Sequence, residues 1–197
     1  MLIIGLTGGI GAGKTMVSNI FKTLGVPIYN SDNRAKYLMT NNNDLRKSLC
    51  SAFSNKVFNN NILDTNFLSN IVFNNALELK KLNTIVHPFV IRDFESWISK
   101  QKSKFVIKEA AILIESGAYK KVDKIILVIA NKEIRIDRIK NRDNINKEAI
   151  LSRIDKQISD KERMQYADFV IDNNENKSII TQVKNIYNEI REKLLIE

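Results

Sequence analysis

Gly8, Gly13, Lys14 and Thr15 stand in the order Gly-x-x-x-x-Gly-Lys-Thr, and Gly5, Gly9 and Gly11 crowd the same stretch, so five of the chain's seven glycines fall between positions 5 and 13. Glycine admits positive φ and lets another group approach the backbone closely. A loop built from it can turn successive N–H groups onto one anion, and a following helix adds the partial positive charge of its N-terminus. Lys14 at this spacing can reach the outer phosphates of a triphosphate, and the Thr15 hydroxyl can ligate a bridging Mg²⁺. The chemistry indicated is binding of a nucleoside triphosphate. The pattern says nothing about the acceptor.

The flanks supply the required context. Leu2-Ile3-Ile4-Gly5-Leu6 is a short apolar, β-branched run suited to a strand buried on both faces. Met16, Val17, Ile20, Phe21 and Leu24 recur at helical spacing, and Gly25 sits where a C-terminal capping glycine belongs. Strand, glycine loop and helix together make the stretch a P-loop. Gly8, Gly9, Gly11, Ala12, Gly13, Lys14, Thr15 and Met16 are thus the candidate residues for binding the nucleoside triphosphate, with Thr15 also the candidate Mg²⁺ ligand. A glycine-rich turn that binds nothing is the alternative, and a full match between a strand and a helix disfavours it.

Other residues could complete a phosphoryl-transfer site, each with a plainer reading beside it. Asp32 follows the predicted strand Val26–Tyr29, where a carboxylate could orient or deprotonate an acceptor hydroxyl; it would serve equally as a helix N-cap. Arg138 and Arg142 are four apart and share a helix face, from which a guanidinium could meet the transferring group. The alternative is a solvated helix laced with ion pairs, because residues 131–165 are dense in both charges. Glu109 ends a predicted strand and could face Mg²⁺ through water, or be an ordinary strand-end carboxylate. Glu115 follows an apolar run and could face the acceptor cleft, or lie on a helix surface. His87 is the only histidine, and alone reads as structural.

The elements that must position these groups alternate. Strands are predicted at 2–6, 26–29, 104–108, 124–129 and 168–171, with a closing amphipathic helix marked by Ile179, Val183, Ile186, Ile190 and Leu194. The alternation predicts an α/β three-layer sandwich on a five-stranded parallel sheet, with ligands at the carboxyl ends of the strands. Residues 1–30, 101–130 and 166–197 form the expected nucleotide-binding core. Residues 31–100, helical with polar breaks at Ser54–Asn61 and Asn74-Asn75, form an inserted helical domain. Residues 131–165 form a helical lid.

Composition narrows the rest. The chain has 197 residues, a net charge of +9 and a single cysteine, Cys50, so neither an internal disulfide nor a cysteine metal cluster can form. Cys50 reads as a small buried hydrophobe, and Trp97 as part of the apolar stripe Ile85, Val86, Phe89, Val90, Phe94, Trp97, Ile98. The positive charge is scattered among asparagine-rich runs such as Asn41–Asn43 and Asn59–Asn61, without interleaved aromatics. AT-biased coding and an anionic small substrate account for it better than nucleic acid does. The lack of a basic leader or a long apolar run points to the cytoplasm, with no membrane partner and a monomer or weak oligomer expected.

A family resemblance then becomes specific. Thr7-Gly8-Gly9-Ile10-Gly11-Ala12-Gly13-Lys14-Thr15, Asp32 followed by Ala35, His87-Pro88, Ile112-Leu113-Ile114-Glu115-Ser116-Gly117, Arg138-Ile139-x-x-Arg142, Arg153-x-x-x-Gln157 and Ala167-Asp168-x-Val170-Ile171-x-Asn173 occur in that order. Together they resemble the dephospho-coenzyme A kinases, relatives of the nucleoside monophosphate kinases. The resemblance implies phosphoryl transfer from MgATP to the ribose 3′-hydroxyl of dephospho-coenzyme A. It implies catalytic roles for Asp32, Lys14 and Arg142, nucleotide contacts from Arg138 and Asn173, and acceptor contacts from Asp32, His87 and Glu115. The chain departs from the family's usual pattern at Asn30-Ser31, Thr65, Ala111 and Asn174, and at Arg135, where a glutamine is usual.

Three rival readings compete with it. A signalling GTPase is suggested by Asn131-Lys132-Glu133-Ile134, but Ile134 stands where guanine recognition needs an aspartate, and no Asp-x-x-Gly occurs. A kinase of the same architecture with another small acceptor, such as a nucleoside monophosphate, is the runner-up. A nucleic-acid-stimulated ATPase is the reading suggested by charge alone.

Overall fold

The computed structural model describes residues 1–72 and 75–196. In chain order its strands and helices are β1 (Leu2–Thr7), α1 (Lys14–Thr23), β2 (Ile28–Asn30), α2 (Ser31–Asn41), α3 (Asn43–Phe53), β3 (Phe58–Asn59), β4 (Ile62–Leu63), α4 (Thr65–Val72), α5 (Ala76–Ile98), β5 (Phe105–Glu109), β6 (Lys124–Ile129), α6 (Lys132–Asp143), α7 (Lys147–Asp155), α8 (Asp160–Met164), β7 (Phe169–Asp172) and α9 (Ile179–Ile196). They divide into two compact units, residues 1–30 with 102–197, and residues 31–101.

The first unit is built on a five-stranded, wholly parallel sheet in the order β2-β5-β1-β6-β7. Both flanks of β1 are paired, with Leu6 opposite Glu109 on one side and Ile126 on the other. The continuous apolar runs follow from that central position, since a strand covered on both faces has no polar side. On one face Val17 and Phe21 of α1 and Val183, Ile186 and Ile190 of α9 pack on Ile4, Leu6, Ile107, Ile126, Val128 and Ile171. On the other, Leu113, Ala118, Tyr119 and Val122 pack with Ala110 and Ile125. The expected three-layer α/β architecture is present. The strands at Ile28–Asn30, Phe105–Glu109 and Phe169–Asp172 start one or two residues later than the sequence suggests.

The second unit packs Leu38, Leu45, Leu49, Val57, Leu63, Leu68 and Val86 into a separate core. Arg34 on α2 makes a two-pronged ion pair with Asp93 on α5. The expected polar break at Ser54–Asn61 holds a small antiparallel hairpin, β3–β4, whose turn residues Asn60 (φ 47) and Asn61 (φ 65) have the left-handed backbone of a tight two-residue turn. Of the second expected break, Asn75 is the N-cap of α5, while Asn74 lies outside the described residues. Cys50 is half-buried beside this core, and Trp97 stacks on Phe94 with ring centroids 6.0 Å apart.

Helix α5 runs through Pro88. An interior proline removes one helical hydrogen bond and costs about 3 kcal/mol. Burial of the stripe on either side of it, including Val86 and Phe94, outweighs that cost. No helix among the described residues is long and apolar enough to cross a membrane.

Candidate active site

The glycine loop leaves the carboxyl end of β1 and enters α1 through Gly13, which has φ 102 and ψ 24. A side chain there would be strained by the backbone and would collide with the amide of Asn173. The N-terminus of α1, with its leading N–H groups outside the helical ladder, opens beside the loop. Lys14 folds back along it, its Nζ donating to the carbonyls of Gly8 (2.9 Å) and Gly9 (3.3 Å). Ala12 is fully buried, while Thr15 and Met16 face outward. Met16 lines an apolar groove with Ile20 of α1 and Ile180 of α9.

Glu109 ends β5 with 4% of its surface exposed and accepts a 2.6 Å hydrogen bond from the Ser18 hydroxyl of α1. Ser18 lies one turn beyond Thr15 on α1. Hydroxyl and carboxylate oxygens are hard donors of the kind that suits Mg²⁺ entering with a triphosphate.

Three segments brace the loop from outside. Asn173, just past β7 and 2% exposed, donates from Nδ2 to the carbonyl of Ala12 at 2.7 Å. Arg138 donates from Nη2 to both the carbonyl and Oδ1 of Asn173, each at 3.2 Å, and to Glu175 at 3.1 Å. Its Nη1 is buried beside Gly13 without a protein partner among the described residues. At the crown of the loop, Ile10 donates its N–H to Gln157 (2.8 Å) and accepts at its carbonyl from Arg135 Nε (2.8 Å).

Sequence reasoning gave Arg135 no role. Its side chain is 8% exposed and it pairs with Asp160 at 3.5 Å. Burial pulls its guanidinium below the ordinary value, Asp160 opposes this, and the nearby Arg163 cation adds to the lowering. Arg163, 1% exposed, pairs with Asp160 at 3.0 Å and with Glu115 at 2.8 Å. Glu115 is therefore engaged within the first unit by a buried arginine. The signal for Arg135 was present, since it lies three residues before Arg138 and so on the same helix face.

Three candidates remain, Arg142, Asp32 and His87. Arg142, a turn beyond Arg138, is 63% exposed and forms a fork with Asp143 at 2.7 and 3.0 Å. Arg153 reaches the same carboxylate at 3.2 Å. The hydrogen bond raises the Arg142 pKa and, with both cations, lowers that of Asp143. Asp32 and His87 belong to the second unit. Asp32 is exposed and is the second residue of α2, inside its first turn and past the cap position; His87 is half-buried within α5.

The dephospho-CoA kinase family model matches residues 2–178. The chain belongs to this family. A dephospho-CoA kinase of Bacteroides fragilis is 39% identical over 181 residues, covering 91% of this chain and 88% of that one. One from Fusobacterium nucleatum is 40% identical over 177 residues, covering 89% and 91%. Among solved structures, a dephospho-CoA kinase from Campylobacter jejuni superposes with a TM-score of 0.68 at 29% identity, covering 95% of this chain and 96% of that one. Membership makes the protein an ATP-dependent phosphotransferase of coenzyme A biosynthesis. The GTPase-switch reading falls away with it.

Proposed function

We propose that the enzyme transfers the γ-phosphoryl group of ATP to the 3′-hydroxyl of the dephospho-coenzyme A ribose. The observation that carries this reading is the braced P-loop in a chain of this family. The new bond joins the ribose 3′-oxygen to phosphorus, the bond from that phosphorus to the β-phosphate bridging oxygen breaks, and the hydroxyl proton passes to Asp32. Backbone N–H groups of Gly8 to Lys14 and the Lys14 ammonium hold the phosphates. The buried, protein-unpartnered Nη1 of Arg138 suits a phosphate oxygen beside Gly13, and Arg142 closes on the transferring group from the next turn. Thr15 and Glu109 are the residues that would hold the Mg²⁺ entering with ATP, and the ion would supply positive charge to offset that of the phosphates.

Residues 31–101 then receive the acceptor, with Asp32 and His87 contributing contacts, while 131–165 acts as the lid. The same reading places the enzyme in the cytoplasm. The test is a mass-spectrometric screen with MgATP in which dephospho-coenzyme A, nucleoside monophosphates and shikimate compete. One added phosphoryl group on dephospho-coenzyme A, and little on the others, is the expected result. Preferential labelling of a nucleoside monophosphate would overturn the acceptor. In a companion measurement Asp32→Asn lowers turnover far more than it weakens ATP binding; unchanged turnover would leave Asp32 a helix-terminal residue only.

A further inference from the structure

The crown of the phosphate loop is gripped at both backbone atoms of one residue. Ile10 gives its N–H to Gln157 and takes the Nε–H of Arg135 on its carbonyl, both at 2.8 Å. The Arg135 guanidinium also lies flat against Gly9, where any Cβ would collide with it, so this glycine is required by the arginine and not by its own φ. Behind Arg135 runs a line of alternating charge, Asp160, Arg163 and Glu115, with contacts of 3.5, 3.0 and 2.8 Å. Its two arginine side chains are 8% and 1% exposed. Buried arginines keep their charge, so each must be aimed at its carboxylate. Glu115 thus sets Arg163, Arg163 and Asp160 set Arg135, and Arg135 sets the loop.

We propose that Arg135 is a positioning residue for nucleotide binding, holding Gly9 and Ile10 in the conformation that receives the triphosphate, and that Glu115 acts through it at a distance. This rests on the P-loop binding ATP as described above, and it moves Glu115 from the acceptor side of the reaction to the nucleotide side. The assignment is specific to a forked donor. Lysine supplies charge from a single nitrogen and cannot serve Ile10 and Asp160 in one plane.

The experiment measures ADP affinity by titration calorimetry, which needs no acceptor, together with the KM values for ATP and dephospho-coenzyme A. It uses Arg135→Met, Arg135→Lys, Asp160→Asn and Glu115→Gln, with melting temperatures recorded alongside. Arg135→Met weakens ADP binding and raises the KM for ATP about tenfold. Arg135→Lys recovers little of this. Asp160→Asn and Glu115→Gln move the same two constants in the same direction by a smaller factor, and the KM for dephospho-coenzyme A stays put. An increase confined to the acceptor KM in Glu115→Gln would overturn the linkage and return Glu115 to the acceptor site. A lowered melting temperature with ADP affinity intact in Arg135→Met would reduce Arg135 to a structural residue. Because ADP binding is scored alone, a wrong acceptor would leave this result standing.

Discussion

The two ends of α6 carry arginines on one face, yet they meet different surroundings. Exposure rises from 8% at Arg135 to 28% at Arg138 and 63% at Arg142. The first two are spent on the phosphate loop and on the asparagine that braces it, while the third is held by the neighbouring Asp143. Helical periodicity puts side chains on a common face but does not choose their partners. At the near end the partners lie twenty-five or more residues away along the chain; at the far end Arg142 is held by the next residue, Asp143, which it shares with Arg153 of the next helix. The near end is therefore fixed against the loop and its bracing asparagine, whereas the far end is held only through the exposed pair with Asp143.

The largest effect that would sharpen this contrast is on the loop itself. Lys14→Ala lowers turnover by about a thousandfold or more, because the ammonium proposed to hold the phosphates is lost. Steady-state kinetics with saturating dephospho-coenzyme A checks it, and a loss of less than tenfold would mean that the backbone cradle suffices.

At the far end, Arg142→Ala lowers kcat by about ten- to a hundredfold, while the melting temperature moves little, since an exposed ion pair contributes roughly 0–1 kcal/mol. A kcat equal to that of the parent enzyme would confine Arg142 to its pair with Asp143.

At the near end, Asn173→Ala removes a buried bond to Ala12 and a partner of Arg138. The cost is about 1–3 kcal/mol of stability, seen as a drop of a few degrees in melting temperature, with a raised KM for ATP. A shift in neither quantity would break the claim that this end is framework.

The smallest effect concerns pH. The Asp143 carboxyl has its pKa lowered in the folded state, chiefly by the Arg142 hydrogen bond, so its contribution is fully present above the unfolded value near 4. It is lost as pH falls through the lower folded value. The stability difference between the parent and Asp143→Asn should be constant from about pH 8 to pH 5 and shrink below about pH 4. Urea titrations across that range test it, and a difference that vanished near neutrality would point to another group.

Much of the fold was legible because its signals are local. The parallel strands are contiguous apolar runs, and Gly13 opens α1 as the spacing requires. Asparagine is less legible. The runs Asn41–Asn43 and Asn59–Asn61 contain working positions: Asn42 accepts from the Leu45 N–H as an N-cap, and Asn60-Asn61 turn the hairpin. An asparagine in a polar run looks the same whether it caps, turns or only solvates, because its partner is a backbone group that sequence does not display. Asp32 illustrates the converse, since its residue type suits a cap and the helix begins one position earlier.

By itself the sequence determined the phosphate cradle, since its glycines, lysine and threonine lie within eight consecutive positions and act through the backbone that joins them. It also determined the parallel sheet, through runs apolar on both faces. The tertiary structure alone decided where the long charged side chains end. Arg135, Arg163 and Glu115 could each have faced water. Burial of the two arginines is tolerable only where an opposite charge or a carbonyl has been brought within reach, and that depends on segments distant in the chain.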